Sequence, residues 1–282
     1  MRTVIDVIID IVERNAYSLN SSLLLQGNNI VQANGIPFED YVMNLFSDNL
    51  FETNKKKYRE KIDEVFSCLH ANNYSPDFII NGGDAIEVKK TEKYTNEYQF
   101  NSSYPKKFLF PDSPKLVPGA RKYEQWDKKD MLYVFGVVPQ GKRISLMSFI
   151  YGSEFAADRR HYEDLEDKIR DSVSTYDSSE TNELGRLNGI DPLRMTSLRI
   201  TRGMWLIKNP LRLIEEYWAP NPDHSFDFVC LMDCNKYDSD PRKDYLLKLS
   251  KTYKNLQIRE INLSDPDTLI SKKSMLITYF IK

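Results

Sequence analysis

Two acidic residues and a lysine stand out in the segment PDFIINGGDAIEVKK, which covers residues 76–90. Asp77 opens one apolar run, and Glu87 and Lys89 lie in the next one. Carboxylate oxygens are hard ligands that suit Mg²⁺, which commonly takes one or two of them from a protein. A nearby ammonium group can orient water or help to deprotonate it, and it can stabilise charge that builds on phosphorus. These residue types are typical of metal-assisted phosphodiester hydrolysis.

The turn between the two runs decides whether these side chains can meet. Side chains alternate along a strand, so Glu87 and Lys89 share one face. A two-residue turn would place Asp77 on the opposite face. A three-residue loop over residues 81–83 pairs Asp77 with Glu87, and its glycines can supply the positive φ that such a loop needs. The sequence therefore predicts a hairpin with one apolar face and one face that carries Asp77, Glu87 and Lys89.

The spacing of these residues resembles the PD-(D/E)xK motif of nucleases, with Pro76-Asp77 followed by Glu87-Val88-Lys89. Nucleases of this fold place a helix before the hairpin, often with a glutamate that faces the metal site, and the resemblance assigns Glu39 to that position. The motif is short and degenerate, so a surface hairpin with charges on its solvated face is an alternative. Glu39 has an alternative role as a first-turn glutamate beside a helix dipole.

The elements expected around the hairpin are helices first and mostly strands later. The predicted helices are MRTVIDVIIDIVERN, FEDYVMNLFSDNLF, Lys55 to Leu69, GARKYEQWDKK and HYEDLEDKIRDSV. The other predicted strands are DMLYVFGVV, RISLMSFIYG, TSLRITRGMWLI, SFDFVCLMD, LQIREINL and SMLITYFI. This order predicts an α/β fold in which helices flank a central mixed sheet behind an N-terminal helical segment. We expect a single domain, with a helical part (1–70), a catalytic core (71–150) and a part for recognition and the remaining sheet (151–282).

Composition excludes several other classes of protein. The chain has 282 residues, a formal net charge of −2 and three cysteines, which argues against a disulfide framework and fits a reducing cytoplasm. No window approaches the roughly 20 apolar residues that a membrane helix needs. The three histidines are isolated in sequence, so a histidine-metal nuclease or a Ser-His-Asp triad has no support.

Charge is distributed unevenly along the chain. Residues 154–183 contain ten acids and four bases, whereas residues 185–212 contain one acid and six bases. A solvated face is the usual fate of such a basic stretch. A local basic surface is also what attracts a nucleic acid, whatever the net charge of the whole chain.

Five blocks of sequence resemble, in order, the NgoPII-type family of type II restriction endonucleases. They are GDAIEVKK, NSSYPK, EQWDKKDMLYVFGVV, TNELGRLNGIDPL and LRITRGMW, and the resemblance runs from about Pro37 to about Tyr217. It implies a restriction-endonuclease-like core and a Mg²⁺-dependent homodimer that cuts both strands of double-stranded DNA at a short palindromic, G·C-rich (GGCC-like) site. It also implies a DNA methyltransferase as functional partner. In this family Asp77, Glu87 and Lys89 would be catalytic, with Asp77 and Glu87 as metal ligands.

Contacts to DNA are expected in two segments. The residues expected to contact the backbone near the scissile phosphate are Ser102, Ser103, Lys106 and Lys107. A loop with a solvated lysine pair is the alternative. The candidates in the basic stretch are Arg186, Asn188, Arg194, Arg199 and Arg202. Arginine contacts to guanine O6 and N7 are the commonest way to recognise a G·C pair, but the sequence does not tell base contacts from phosphate contacts.

Two other functions remain open at this level. One is a structure-specific or repair nuclease of the same fold, which needs no paired, symmetric recognition of bases. The other is a DNA-binding module that has lost cleavage. The intact trio Asp77, Glu87 and Lys89 argues against the second, because clustered acids near phosphates do not help binding alone.

Overall fold

The fold is given by a computed structural model that describes residues 2–14, 36–50, 52–69, 74–100, 103–113, 116–117, 119–140, 143–173, 186–199 and 204–282. These residues contain α-helices α1 (Val4–Glu13), α2 (Ile36–Phe46), α3 (Lys55–Val65), α4 (Gly152–Phe155), α5 (Arg159–Val173), α6 (Cys234–Ser239) and α7 (Lys243–Thr252). A 3₁₀ helix covers Pro210–Ile214. No helix in these ranges is long and apolar enough to span a bilayer.

Thirteen strands form two sheets within the described ranges. The strands are β1 (Phe66–Leu69), β2 (Phe78–Ile80), β3 (Ala85–Thr91), β4 (Tyr98–Phe100), β5 (Phe108–Leu109), β6 (Lys129–Val137), β7 (Leu146–Tyr151), β8 (Arg186–Asn188), β9 (Thr196–Arg199), β10 (Met204–Ile207), β11 (Phe226–Asp233), β12 (Leu256–Ser264) and β13 (Ser271–Ile281). The main sheet has the order β1-β2-β3-β6-β7-β11-β13-β12, with β5 beside β6. The small sheet has the order β4-β10-β9-β8.

The main sheet is mixed, as the sequence predicts. Strand β3 pairs in parallel with β6, and β7 pairs in parallel with β11, while the other neighbours are antiparallel. The sheet takes strands from all three predicted parts of the chain. The division of the chain into a helical, a catalytic and a recognition part stays a prediction.

Each face of the main sheet is covered by a different layer. On one face, α1, α2 and α7 pack on inward residues such as Ile86, Val88 and Val134. On the other face, Tyr133 and Phe135 of β6 pack with Tyr98 and Trp205 of the small sheet. Since side chains alternate along β3, Glu87 and Lys89 lie on the face that meets the small sheet. The fold thus sets the charged face of the hairpin between two sheets.

Helix α1 illustrates how local signals place these layers. Thr3 and Asp6 form a capping box, in which the Thr3 hydroxyl accepts from the Asp6 amide and the Asp6 carboxylate accepts from the Thr3 amide. Seven apolar side chains behind this cap are buried: Val4, Ile5, Val7, Ile8, Ile9, Ile11 and Val12. Helix α1 is therefore a core helix beneath the main sheet.

Three predicted elements differ from the structure. The helix predicted from Lys55 to Leu69 ends at Val65, because Phe66 to Leu69 forms the edge strand β1 beside β2. The helix predicted for GARKYEQWDKK is wrong: its described residues form turns and bends, and Lys129 begins β6. There Lys129 Nζ is used in tertiary contacts, since it donates to the Gly83 carbonyl at 2.8 Å and to Glu124 at 2.9 Å.

The third difference lies in TSLRITRGMWLI, which was predicted as one alternating strand. Its described residues form two antiparallel neighbours, β9 and β10, with Arg199 opposite Met204. Three consecutive residues of each strand are buried, so the predicted alternation of buried and exposed residues is not observed. The predicted strands of SFDFVCLMD, LQIREINL and SMLITYFI are confirmed as β11, β12 and β13.

Candidate active site

The β2–β3 hairpin has the predicted register. Phe78 faces Ile86 and Ile79 faces Ala85, and the Ile80 amide donates to the Asp84 carbonyl at 2.9 Å. Gly82 in the loop has φ +69°, the conformation that glycine adopts most readily. Continued by one pair, this register brings Asp77 opposite Glu87.

Asp77 completes the hairpin where the β2 ladder stops. Its amide donates to the Ile86 carbonyl at 2.9 Å, and its carboxylate Oδ2 accepts from the Val88 amide at 2.6 Å. Pro76, the preceding residue, cannot donate a backbone hydrogen bond. The Asp77 carboxylate thus accepts a hydrogen bond from the main chain of β3, and this bond fixes the side chain next to that strand.

Glu87 and Lys89 are two residues apart on β3 and contact each other. Glu87 is buried, with 4% of its surface exposed, and its carboxylate accepts from the Lys89 ammonium and from the Ser75 hydroxyl, the latter at 2.9 Å. The Lys89 side chain is 21% exposed and lies 5.4 Å from the centroid of the Phe100 ring. Lys89 thus links the acids of the hairpin to the small sheet.

The electrostatics of the site reflect the crowding of like charges. Burial and repulsion from Glu87 raise the pKa of Asp77 well above its ordinary value, although Lys89 acts in the opposite direction. Burial alone would lower the pKa of Lys89, but the negative charges of Glu87 and Asp77 outweigh it and raise that pKa. Lys89 is therefore protonated at neutral pH, which favours charge stabilisation over proton abstraction as its role.

Glu39 lies in the first turn of α2, where its charge raises the pKa of both Asp77 and Lys89. The adjacent Phe38 is buried, and its ring occupies the space beside Gly136 of β6, where any Cβ would come within 2.4 Å of it. This close approach fixes the start of α2 over the main sheet. The structure thus brings Glu39 within electrostatic reach of the predicted catalytic residues.

The predicted backbone-contact segment lies deeper than expected. Ser103 and Lys106 are buried, with 7% and 5% exposed surface, and the Lys106 ammonium donates to the Ser103 hydroxyl. The alternative of a solvated lysine pair is therefore wrong for Lys106. Burial lowers the pKa of Lys106 to about 8, while the charge of Glu87 acts in the opposite direction. Lys107 is held by an ion pair with Asp267. Ser102 lies outside the described residues.

Tyr133 joins the Lys106 segment to the hairpin. It lies on β6 directly opposite Glu87 in the parallel pairing, and its phenol oxygen accepts from the Lys106 amide at 2.6 Å. Tyr133 and Ser75 were not singled out from the sequence. Their roles depend on contacts between residues that are distant in the chain, so no local pattern points to them.

Three of the residues predicted in the basic stretch lie on the paired strands β8 and β9, where Arg186 is opposite Arg199 and Asn188 is opposite Ser197. Arg199 is exposed on β9 and lines an open cleft of about 500 Å³ that Lys89 also lines. Asn188 is exposed at the end of β8 and accepts from the Ser197 hydroxyl at 3.1 Å. Arg194, with φ +56°, is exposed in the turn before β9. Arg186 belongs to the backbone of β8, but its side chain is outside what the structure describes, and Arg202 is wholly outside it.

The donor set agrees with a hard divalent ion. In the described ranges, no group of three or more histidine, cysteine, aspartate or glutamate side chains is arranged to hold a metal. Mg²⁺ does not require such a group, because it keeps waters and takes one or two carboxylates together with substrate phosphates. Asp77 and Glu87 offer two crowded carboxylates; burial and then repulsion from Glu87 raise the pKa of Asp77, and a cation would relieve that repulsion. The residues present therefore fit the ion.

Comparison with known proteins gives the family of the chain. A family model described as NgoPII restriction endonuclease matches residues 2–264, a wider range than the resemblance found in the sequence blocks. The Type II restriction enzyme NgoPII of Neisseria gonorrhoeae is 33% identical over 282 residues, which cover 99% of each chain. No solved structure matches this chain significantly. With a match over nearly its whole length, the chain belongs to the NgoPII restriction endonuclease family.

Proposed function

We propose that this protein is a type II restriction endonuclease that hydrolyses both strands of duplex DNA at a short palindromic, G·C-rich site in the presence of Mg²⁺. The observation that carries the proposal is the meeting of Asp77, Glu87 and Lys89 on one face of the β2–β3 hairpin. Family membership and the similarity to a type II restriction enzyme support it. The G·C-rich target rests on the family resemblance and on the exposed arginine in the cleft beside Lys89.

The two carboxylates would hold the metal ion. Asp77 binds the Val88 amide through Oδ2, which leaves Oδ1 for an ion, and Glu87 is oriented by Ser75. When bound, Mg²⁺ would supply positive charge against the scissile phosphate and make water more acidic. Since the acids are buried and crowded, they gain more from a cation than exposed carboxylates would.

Lys89 acts as a fixed positive charge in this proposal. The neighbouring charges of Glu87 and Asp77 raise the pKa of Lys89 and so favour its ammonium form, which would donate to a phosphate oxygen and stabilise the charge of the transition state. Its contact with Glu87 orients the ammonium toward the site. The work of a general base is left to solvent or to the phosphate itself.

A palindromic target has twofold symmetry, so a homodimer is the expected active form. Each protomer would then place its own hairpin against one strand. A cell that makes such an enzyme needs protection of the same site, and a DNA methyltransferase of matching specificity is the expected functional partner.

The test is digestion of plasmid DNA followed by mapping of the ends. Purified protein with Mg²⁺ should give discrete fragments with 5′-phosphate ends at one palindromic sequence, and EDTA should stop the reaction. Asp77→Asn should give no fragments. Glu260→Gln, an exposed glutamate of β12 at the far edge of the main sheet, should cut like the wild type.

Other results would favour the other functions. A smear without defined ends would indicate a structure-specific or repair nuclease. DNA that stays intact but is bound and retarded would indicate a binding module. Cutting by Asp77→Asn at the wild-type rate would remove the hairpin acids from the mechanism.

A further inference from the structure

The outer face of the small sheet carries polar side chains at defined positions. Tyr98 and Phe100 of β4 pack inward, so Gln99 between them points outward and is exposed. Gln99 pairs with Leu206 of β10, which in turn pairs with Ser197 of β9. Arg199 lies on the same outer face, since it is two residues along β9 from Ser197. The small sheet thus presents Gln99 and Arg199 on one face, from two strands that β10 separates.

This face continues into the candidate active site. Gln99, Arg199 and Lys89 line the same open cleft of about 500 Å³. Phe100, the residue after Gln99, packs against the Lys89 ammonium with 5.4 Å between nitrogen and ring centroid. A duplex whose phosphate reaches Lys89 would therefore bring its neighbouring bases to Gln99 and Arg199.

Both side chains are available for such contacts. In the part of the chain that the structure describes, neither the Gln99 carboxamide nor the Arg199 guanidinium has a hydrogen-bond or ion-pair partner. Two other cations are held in ion pairs, Lys107 with Asp267 and Arg159 with Asp112. The exposed guanidinium of Arg199 is thus free to contact a ligand.

The chemistry of the cleft suits base edges better than phosphates. Its lining includes Lys90 and Arg199, but also Glu92 and Glu97, which would repel a phosphate backbone. Base edges in the major groove offer donors as well as acceptors, so they match a lining of mixed charge. A carboxamide carries one acceptor and one donor group, and an arginine carries a fork of donors.

We propose that this cleft recognises base edges of the DNA and that Gln99 is a specificity-determining residue that acts together with Arg199 across the same cleft. The proposal rests on the proposed function, because it takes duplex DNA as the ligand. Gln99 can accept from an exocyclic amino group and donate to a neighbouring ring nitrogen or carbonyl oxygen of the same base pair. Arg199 would contact another base pair of the site. The buried inner residues of β4 and β9 hold both side chains in register.

The experiment measures cleavage rates of Gln99→Ala and Gln257→Ala. The substrates are a duplex with the recognition sequence that the wild-type protein cuts, and duplexes in which one base pair of that sequence is changed. Gln257 is a matched control, since it is also an exposed glutamine on a strand, at the edge β12. Gln99→Ala should slow cleavage of the wild-type site by roughly 10- to 100-fold and should relax discrimination at one base pair only. Thermal unfolding should be unchanged, because the side chain is exposed.

Gln99→Glu gives a second test at nearly constant size. It removes the donor, so it should lose the same discrimination as Gln99→Ala. If both variants cut and discriminate like Gln257→Ala, the inference is overturned while the endonuclease activity stands. An equal loss on every duplex, with a changed salt dependence, would make Gln99 a phosphate contact and would also overturn it. If the wild-type protein cuts DNA at no defined site, the proposed endonuclease function is contradicted. The specificity role of Gln99 is then contradicted as well, because it depends on that function.

Discussion

Lys89 on β3 and Lys106 in the loop after β4 are two poorly exposed lysines within electrostatic reach of the same carboxylate, Glu87, yet their pKa values move in opposite directions. Lys89 touches Glu87 directly, and the attraction outweighs the cost of burial. Lys106 instead donates to the Ser103 hydroxyl and lies 5.2 Å from the Tyr104 ring centroid. The difference teaches that a direct anionic partner, more than depth, decides whether a lysine in this site keeps its proton.

The two environments imply two kinds of contribution. Lys89 offers a positive charge to a phosphate, and its contact with Glu87 stabilises the folded protein. Lys106 must carry its charge in a pocket that, within the described residues, gives it no carboxylate at ion-pair distance. Its ammonium form therefore costs stability at neutral pH. Substitutions at the two positions should separate catalysis from stability.

The largest effect is expected at Lys89. Lys89→Met removes the fixed charge beside the scissile phosphate, and single-turnover cleavage should fall by about 10²- to 10³-fold, as for loss of one transition-state donor. Binding to the wild-type site in EDTA, measured by fluorescence anisotropy, should change much less. A cleavage rate within a few-fold of the wild type would show that the charge of Lys89 contributes little to catalysis. It would contradict the proposed difference between Lys89 and Lys106.

A smaller effect of the opposite sign is expected on stability at Lys106. The unfolded chain keeps the ordinary pKa of 10.5, whereas the folded pKa is about 8. Below about pH 8 both states are protonated and the full cost of burying the charge is present; as pH rises from about 8 to 10.5 the folded state holds fewer protons, and stability increases. Lys106→Met should therefore raise the free energy of unfolding at pH 7 by roughly 1–3 kcal/mol.

Denaturant unfolding at several pH values tests this sign. The advantage of Lys106→Met over the wild type should shrink between pH 8 and pH 10.5. Lys107→Met is the control, because Lys107 is ion-paired with Asp267 and its removal should bring no such gain. A destabilised Lys106→Met whose deficit does not depend on pH would show that packing, and not charge, governs this position.

The smallest effect is expected at Tyr133, which holds the Lys106 segment opposite Glu87. Tyr133→Phe removes the phenol oxygen that accepts from the Lys106 amide at 2.6 Å, and this should cost about 1 kcal/mol of unfolding free energy. If the loop then relaxes, the pH dependence attributed to Lys106 should weaken as well. An unchanged pH profile would mean that Lys106 is held by other contacts.

The hairpin was predictable because its determinants are local. Alternation fixes the faces of Glu87 and Lys89, and the glycines of the loop permit the turn that Gly82 makes at φ +69°. The α/β class followed from the order of helical and strand-like segments. The family was predicted from the resemblance of five sequence blocks, and the family model that matches residues 2–264 confirms it.

What the sequence did not predict depends on distant contacts. Residues 66–69 continue the apolar spacing of α3, and only pairing with β2 makes them a strand. Lys106 looked like a surface residue, since burial by Tyr104 and Tyr133 has no signature in its own neighbourhood. Strand β4 is three residues long, too short for a periodic pattern, and so Gln99 was not a candidate.

The bond between Asp77 and the Val88 amide has a consequence for the arrival of an ion. Because one oxygen of the carboxylate is already tied to the backbone, the other is held in place before any ligand comes. Binding and release of the cation would then need no rearrangement of the main chain. The rate of cation exchange would be limited by the loss of water molecules from the hydration shell of the ion. A pre-organised ligand of this kind loses little conformational entropy on binding.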